Sequence, residues 1–361
     1  MIIHIVGGFL GSGKTTGIIS AVKILQGRGV KVSVITNDQG NSLVDSNLMK
    51  GSGISFAEVT GGCFCCNYEQ LEKNIDFLKK STGADVIFAE SVGSCTDLVA
   101  TVLKPLMKFR GNEIKNLTFS SFIDSQLLLH YIENASLPFS TDTSYIWHKQ
   151  LEESDILILN KTDLLNKAEI QKLRDWVKSG IPSDRQILYM NSLETGSVNV
   201  WVGAIGYMSM LGKRKSLDID YNVYGAGEAN LAWLDEEIEI SSNDGSALMV
   251  AHKLIYRLAN SIHMNGLPIG HLKFLLNYNG LTDKISYTAV LNRNMLKIST
   301  PARSDEVRLL VNARVQTSPE ILKSIVESVI SPFKSESDIE ITEKNVSDFK
   351  PGFPKPTHRI D

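Results

Sequence analysis

No apolar run in this chain approaches the ~18 residues that a membrane-spanning helix needs, which excludes a helical membrane protein. Neither sign of charge is in excess. The 37 Lys and Arg against 40 Asp and Glu leave a formal net charge of −3, too little to draw the chain to nucleic acid or an anionic lipid surface. Met1–Gly8 lacks a basic n-region and a cleavage site, so it is expected not to be a secretory signal. Cysteine is scarce, with four in 361 residues. Three of these, Cys63, Cys65 and Cys66, fall within four consecutive positions. A disulfide framework spreads its cysteines to staple distant segments. The clustering therefore points to metal binding or redox chemistry in a reducing compartment, the cytoplasm. The seven histidines, at positions 4, 130, 148, 252, 263, 271 and 358, form no tract that would hold a metal.

What is there suits a soluble globular protein. Hydrophobic residues make up 43% and charged residues 21%, and the length favours two domains. Ile2–Val6 reads as a buried parallel strand and Thr15–Gln26 as a helix. Further strands are expected at Lys31–Thr36, Val86–Ala89, Leu117–Ile123 and Ile156–Leu159, with helix-length segments between them. This alternation predicts a doubly wound, mostly parallel α/β sheet over residues 1–207. Residues 208–232, with the basic knot Lys213-Arg214-Lys215, read as a solvated linker. A smaller α+β domain is expected over 233–331. Within it we expect strands at Trp233–Ile240 (half-exposed), Leu272–Leu276, Tyr287–Leu291, Leu296–Ser299 and Arg308–Val315. Its helices are placed at Leu248–Ile262 and from Pro319 to about Ile330, the second capped by Ser318. Residues 332–361, rich in Ser, Lys and Glu, read as a loosely held tail.

Gly8-Phe9-Leu10-Gly11-Ser12-Gly13-Lys14-Thr15 fits the phosphate-loop pattern at every fixed position, between a predicted strand and a predicted helix. Gly8, Gly11, Ser12, Gly13 and Thr16 are expected to line the phosphates. There Lys14 would reach the β- and γ-phosphates, and the Thr15 hydroxyl would hold Mg²⁺. Asn160-Lys161-Thr162-Asp163 follows an apolar strand. A carboxylate at Asp163 accepts from the guanine ring N–H and amine, whereas adenine would leave it unsatisfied. Ser192, at the next strand end, is a second candidate base contact. Asp38 and Glu90 follow the second and third predicted strands and are candidates for arranging Mg²⁺ and the attacking water. Gly93 is placed to sense the γ-phosphate. His4 reads as a satisfied interior side chain, and Phe274, Tyr278 and Tyr287 as packing residues.

Gly61-Gly62-Cys63-Phe64-Cys65-Cys66 resembles the GCxCC signature of the CobW-type P-loop GTPases, metallochaperones related to the urease and hydrogenase nickel-insertion GTPases. The phosphate loop, Glu90-Ser91-Val92-Gly93, and Gln150 with Asp155 ahead of Asn160–Asp163 are similar to the family's motifs in the same order, over about the first 200 residues. The family's first switch usually reads Asn-Glu-x-Gly where this chain has Asp38, and the histidine-rich C-terminal stretch of many members is absent. The resemblance implies a cytoplasmic GTPase that binds GTP, releases GDP and carries Zn²⁺ or Co²⁺ on Cys63, Cys65 and Cys66, with Thr15, Asp38 and Glu90 at Mg²⁺. Delivery would be to a client metalloenzyme, with a homodimer compatible with the sequence. The alternative is a GTP-driven conformational activator of a cofactor-dependent enzyme, such as a corrinoid protein, without metal delivery. For Cys95 the reading is a buried core residue, with a role as ligand left open.

Overall fold

The computed structural model describes residues 1–37, 40, 44–182, 185–207, 214–290 and 302–361. The chain divides into two compact units, one of Met1–Gln39, Asp45–Gly227 and Phe353–Asp361, the other of Gly40–Val44 and Glu228–Gly352. The candidate Asp38, Lys213 and the strand expected at Leu296–Ser299 lie outside the described residues.

The first unit is built on β1 (Ile2–Gly8), β2 (Val32–Asn37), β3 (Phe56–Val59), β4 (Val86–Glu90), β5 (Asn116–Asp124), β6 (Ile156–Asn160) and β7 (Gln186–Met190). They form one sheet in the order β3-β2-β4-β1-β5-β6-β7, with every neighbouring pair parallel. Parallel strands need crossover connections, so the sheet's inner strands are covered on both faces and read as near-continuous apolar runs. All of β4, β5 and β6 is buried. The helices are α1 (Lys14–Gly27), α2 (Val44–Gly51), α3 (Tyr68–Thr82), α4 (Lys104–Arg110), α5 (Ser125–Asn134), α6 (Thr141–Glu153), α7 (Lys167–Gly180), α8 (Thr195–Tyr207) and α9 (Tyr221–Ala229). Ile18, Ala21 and Val22 of α1 pack with Phe88, Phe122 and Trp201 in one apolar cluster. This topology brings the C-terminal ends of β1, β2, β4 and β6 to one edge, where open α/β sheets bind ligands.

The second unit contains an antiparallel sheet ordered β10-β9-β11-β8-β12. Its strands are β8 (Leu231–Ser242), β9 (Ile269–Tyr278), β10 (Leu281–Tyr287), β11 (Glu306–Gln316) and β12 (Ile339–Phe349), joined by α10 (Ala247–Met264) and α11 (Pro319–Lys334). Leu254, Leu258 and Ile262 of α10 and Leu322, Val326 and Ile330 of α11 pack in one cluster with Ile238, Phe274 and Val311 of the sheet. Ser318 caps α11, its hydroxyl accepting from the Ile321 N–H, with Pro319 at the first helical position. The fold is therefore a parallel P-loop-type sheet with a separate, smaller α+β unit.

Several expectations need correction. The strand placed at Tyr287–Leu291 ends at Tyr287, because β10 begins six residues earlier, just after the Asn279-Gly280 turn. β8 is not half-exposed. It lies between β11 and β12, and its acidic Asp235, Glu236 and Glu237 are buried. Asp235 pairs with Arg314 at 2.6 Å and Glu237 with Arg308 at 2.5 Å, so an alternating acidic pattern that looks solvated is neutralised by arginines from the neighbouring strand. The stretch read as linker contains α9, and Arg214 is no solvated charge. Its guanidinium grips both carboxylate oxygens of buried Asp155, at 2.7 and 2.6 Å. The final thirty residues supply the end of α11, the edge strand β12 and a segment, Phe353–Asp361, that packs in the first unit.

Candidate functional site

Left-handed backbone at Gly8 (φ 123) and Gly13 (φ 90) lets the loop between β1 and α1 turn back on itself. A Cβ at Gly8 would lie 2.1 Å from the Phe122 carbonyl oxygen, and one at Gly13 would lie 2.4 Å from Asn160 Nδ2. Glycine is therefore demanded twice over, by conformation and by space. Lys14 is buried and its ammonium donates to the Gly8 and Phe9 carbonyls at 2.7 and 3.3 Å. Ser12 Oγ is buried without a hydrogen-bond partner among the described residues.

Asn160, at the end of β6, ties three loops together. Its Nδ2 donates to Ser12 O at 2.8 Å, and its Oδ1 accepts from the Ser192 N–H and hydroxyl at 3.1 and 2.9 Å. The structure thus brings the phosphate loop, the Asn160–Asp163 segment and Ser192 into one cluster. Lys161 takes a left-handed conformation (φ 65) and pairs with Asp124 at 2.6 Å. Asp163 sits in a short 3₁₀ turn and faces solvent.

Glu90 ends β4, next to β1 in the sheet, and accepts from the Thr15 hydroxyl at 2.8 Å. Two residues likened to a Mg²⁺ pair on sequence are therefore in contact. Gly93 lies against the phosphate loop, where a Cβ would meet the Leu10 backbone at 3.0 Å. Gln150 of α6 donates to the carbonyls of Gly93 and Cys95, at 3.1 and 2.8 Å, and holds this loop from behind.

The cysteine loop leaves β3 and enters α3 through a tight turn in which the N–H groups of Cys66 and Asn67 both donate to Cys63 O. The turn folds three thiols together. Cys63 Sγ lies 2.7 Å from Cys65 Sγ and 3.3 Å from Cys66 Sγ, and Cys65 and Cys66 are 3.8 Å apart. A tetrahedral zinc with Zn–S bonds near 2.3 Å separates its sulfurs by about 3.8 Å. One pair is already at that spacing, and moving Cys63 away by about 1 Å from Cys65 and about 0.5 Å from Cys66 brings the other two to it. The donor set, three thiols with no carboxylate or imidazole in the group among the described residues, suits a thiophilic divalent ion. Hydrogen bonds to Cys65, Cys66 and Cys95 hold Cys63 well below the ordinary thiol range, against the opposing effect of burial. The same hydrogen bond with Cys63 pushes Cys66 up to about 11.

Three supporting residues were not singled out from sequence. Asn37, last residue of β2, donates from Nδ2 to the Val59 and Gly62 carbonyls at 3.0 and 2.7 Å, and its Oδ1 accepts from the Phe64 N–H at 2.9 Å. It clamps the cysteine loop from both sides, and its place beside the first switch motif was the available signal. Lys355 and Thr357 also contact this loop, nearly 290 residues away in sequence, and no local pattern points to them. Cys95 does more than fill the core, since it hydrogen-bonds to Cys63.

Residues 2–188 match the family model described as the CobW/HypB/UreG nucleotide-binding domain. Over 235 residues the chain is 24% identical to the zinc chaperone CobW of Sinorhizobium sp, covering 59% of this chain and 65% of that protein. It is 28% identical over 193 residues to the zinc chaperone YeiR of Escherichia coli, covering 52% and 54%. With the zinc-regulated GTPase metalloprotein activator 1 of Dictyostelium discoideum the figures are 25% over 222 residues, covering 53% and 46%. The chain thus spans between about half and just under two thirds of the length of these relatives.

Proposed function

The chain belongs to the CobW/HypB/UreG family, and from that premise we propose that it is a GTP-hydrolysing metallochaperone whose cargo, Zn²⁺ or Co²⁺, rides on Cys63, Cys65 and Cys66. Gly8, Gly11, Ser12, Gly13, Lys14, Thr15 and Thr16 bind the phosphates, with Lys14 turning from its loop carbonyls to the anion. Asn160, Lys161 and Ser192 shape the base site. Asp163, facing solvent in the free protein, becomes desolvated when a base covers it, and guanine, unlike adenine, offers it a ring N–H beside an exocyclic amine. Mg²⁺ would supply charge neutralisation at the γ-phosphate. Thr15 and Glu90, in hydrogen-bond contact, would hold it, with Asp38 as the second carboxylate. The cargo leaves to a client metalloprotein, and the compartment is the cytoplasm, where thiols stay reduced.

One observation carries this reading. The loop Glu90–Cys95 touches Thr15 at one end and Cys63 at the other, so rearrangement at the γ-phosphate has a short path to the sulfurs. The relatives named as zinc chaperones and as a GTPase metalloprotein activator support it. The test is metal content of freshly purified protein alongside hydrolysis of GTP and ATP. We expect about one zinc or cobalt per chain, lost in the Cys65→Ser/Cys66→Ser variant, and GTP hydrolysis that exceeds ATP hydrolysis at least tenfold. A metal-free protein whose GTPase rate ignores added zinc would leave the conformational-activator reading instead.

A further inference from the structure

Residues 355–360, read from composition as part of a loose tail, run across the cysteine loop. The Lys355 N–H donates to Cys66 Sγ at 3.3 Å. Thr357 donates its N–H to Cys65 O at 2.8 Å and its hydroxyl to Cys66 O at 3.1 Å. His358 packs edge-on against Tyr68, with ring centroids 5.0 Å apart, and lies at the same distance from Phe109. The far end is tied down elsewhere. Arg359 pairs with buried Asp97 at 2.9 Å and donates to Leu217 O at 2.8 Å, while Ile360 N–H donates to Ala100 O at 2.9 Å. Asp97 and Ala100 lie just beyond the Glu90–Cys95 loop, so one short segment bridges the sulfur loop and the chain that follows the second switch.

Access falls at the same place. Cys63 and Cys65 are buried and Cys66 is half-buried. An open concavity lined by Cys66, Asn67, Tyr68 and Thr357 leads to it from solvent. Cys66 and Thr357 both line it.

We propose that residues 355–360 form a clasp on the cysteine loop that sets the loop's affinity for a thiophilic divalent cation and the rate at which that cation leaves. The inference rests on the thiol-site reading above. A hydrogen bond to an ionised sulfur is about twice as strong as a neutral one, so the Lys355 amide favours the thiolate that binds metal. Outer hydrogen bonds of this kind orient ligands, and their loss typically costs 10- to 100-fold in metal affinity. Arg359 anchors the clasp without touching a cysteine, because its loss would leave the buried Asp97 carboxylate with the Tyr221 hydroxyl, at 2.7 Å, but without its guanidinium partner, which is costly. Displacement of the clasp by a client would open the concavity and weaken the sulfur loop in one step.

The experiment is a zinc titration of the full-length chain against a chromophoric chelator, with release followed after chelator excess. Lys355→Pro, read against Lys355→Ala to account for the lost ammonium, deletes the N–H in a segment already flanked by Pro354 and Pro356. It should weaken zinc 10- to 100-fold and speed release, with binding of a GTP analogue retained. Arg359→Ala should shift both in the same direction. In the unaltered chain, zinc should slow hydrogen exchange at the Lys355 and Thr357 amides, a readout that stands even where a variant fails to fold. Variants that hold zinc within twofold of the parent, or amides whose exchange ignores zinc, overturn the clasp while sparing the thiol site. A parent chain that binds no zinc removes both.

Discussion

Glu153, the last residue of α6, is buried and accepts from the Val99 N–H at 2.6 Å and the Thr96 hydroxyl at 3.4 Å. Burial first, and then the nearby Asp97 carboxylate, push it up to about 8. Its folded value lies above that of an unfolded glutamate, so between pH 4.5 and 8 the folded chain binds the proton more tightly. The stability this contributes is complete below pH 4.5 and is lost as pH rises through 8. Glu153→Gln keeps an oxygen for the Val99 N–H and abolishes the titration. We expect it to stabilise the first unit by about 1–3 kcal/mol at pH 8 and to do nothing near pH 4.5. Urea melts at the two pH values decide. Equal effects at both would mean that Glu153 stays ionised. His4 shows the opposite case. Clasped between the hydroxyls of Thr118 and Ser120 at 2.5 and 3.0 Å, it is held to about 3 by burial, with Arg214 adding to the effect. It is therefore the satisfied interior side chain that its place in an apolar strand suggested.

Elements whose pattern is local were legible. The phosphate loop between β1 and α1, the Asn160–Asp163 turn after β6 and the three-cysteine cluster all announce themselves within a few consecutive residues. β8 did not, because its meaning depends on strands distant in the chain. Trp233–Ile240 alternates apolar and acidic residues, the usual mark of one wet face, yet Asp235 and Arg314 of β11 are both fully buried and paired. The Arg314 guanidinium also stacks 3.9 Å from the Trp233 ring centroid. The clasp was invisible for the same reason, since Lys355–Ile360 carries no periodicity and contacts residues far back in sequence. The buried pair makes a prediction for its sheet. Asp235→Ala strands a guanidinium in the interior and should cost the second unit about 3–5 kcal/mol. Asp235→Ala/Arg314→Met removes both charges and should recover most of that loss. Should the single variant melt within about 1 kcal/mol of the parent, water or another group is satisfying Arg314, and the pair is not what holds β8 to β11.

Taken as one molecule, the protein's chemistry depends on whether the two ligands feel each other. The connection within the first unit is short. Thr15 meets Glu90, Gly93 lies on Leu10, and the same loop ends at Cys95 against Cys63. Asn37 meanwhile clamps the cysteine loop from the end of β2. A nucleotide that rearranges this loop changes the sulfur geometry, and by linkage the metal must change nucleotide affinity by the same factor. We predict that a non-hydrolysable GTP analogue tightens zinc binding about 5- to 150-fold relative to GDP, and that zinc tightens the analogue relative to GDP by an equal ratio. Two titrations, one with each ligand varied, measure this. Cys95→Ser should shrink the ratio by weakening the contact that joins the loop to Cys63, with little effect on the affinity for nucleotide alone. A ratio of one in the parent chain would mean that the thiols and the γ-phosphate are thermodynamically independent. Hydrolysis could not then drive the release of cargo, however close together the two sites lie.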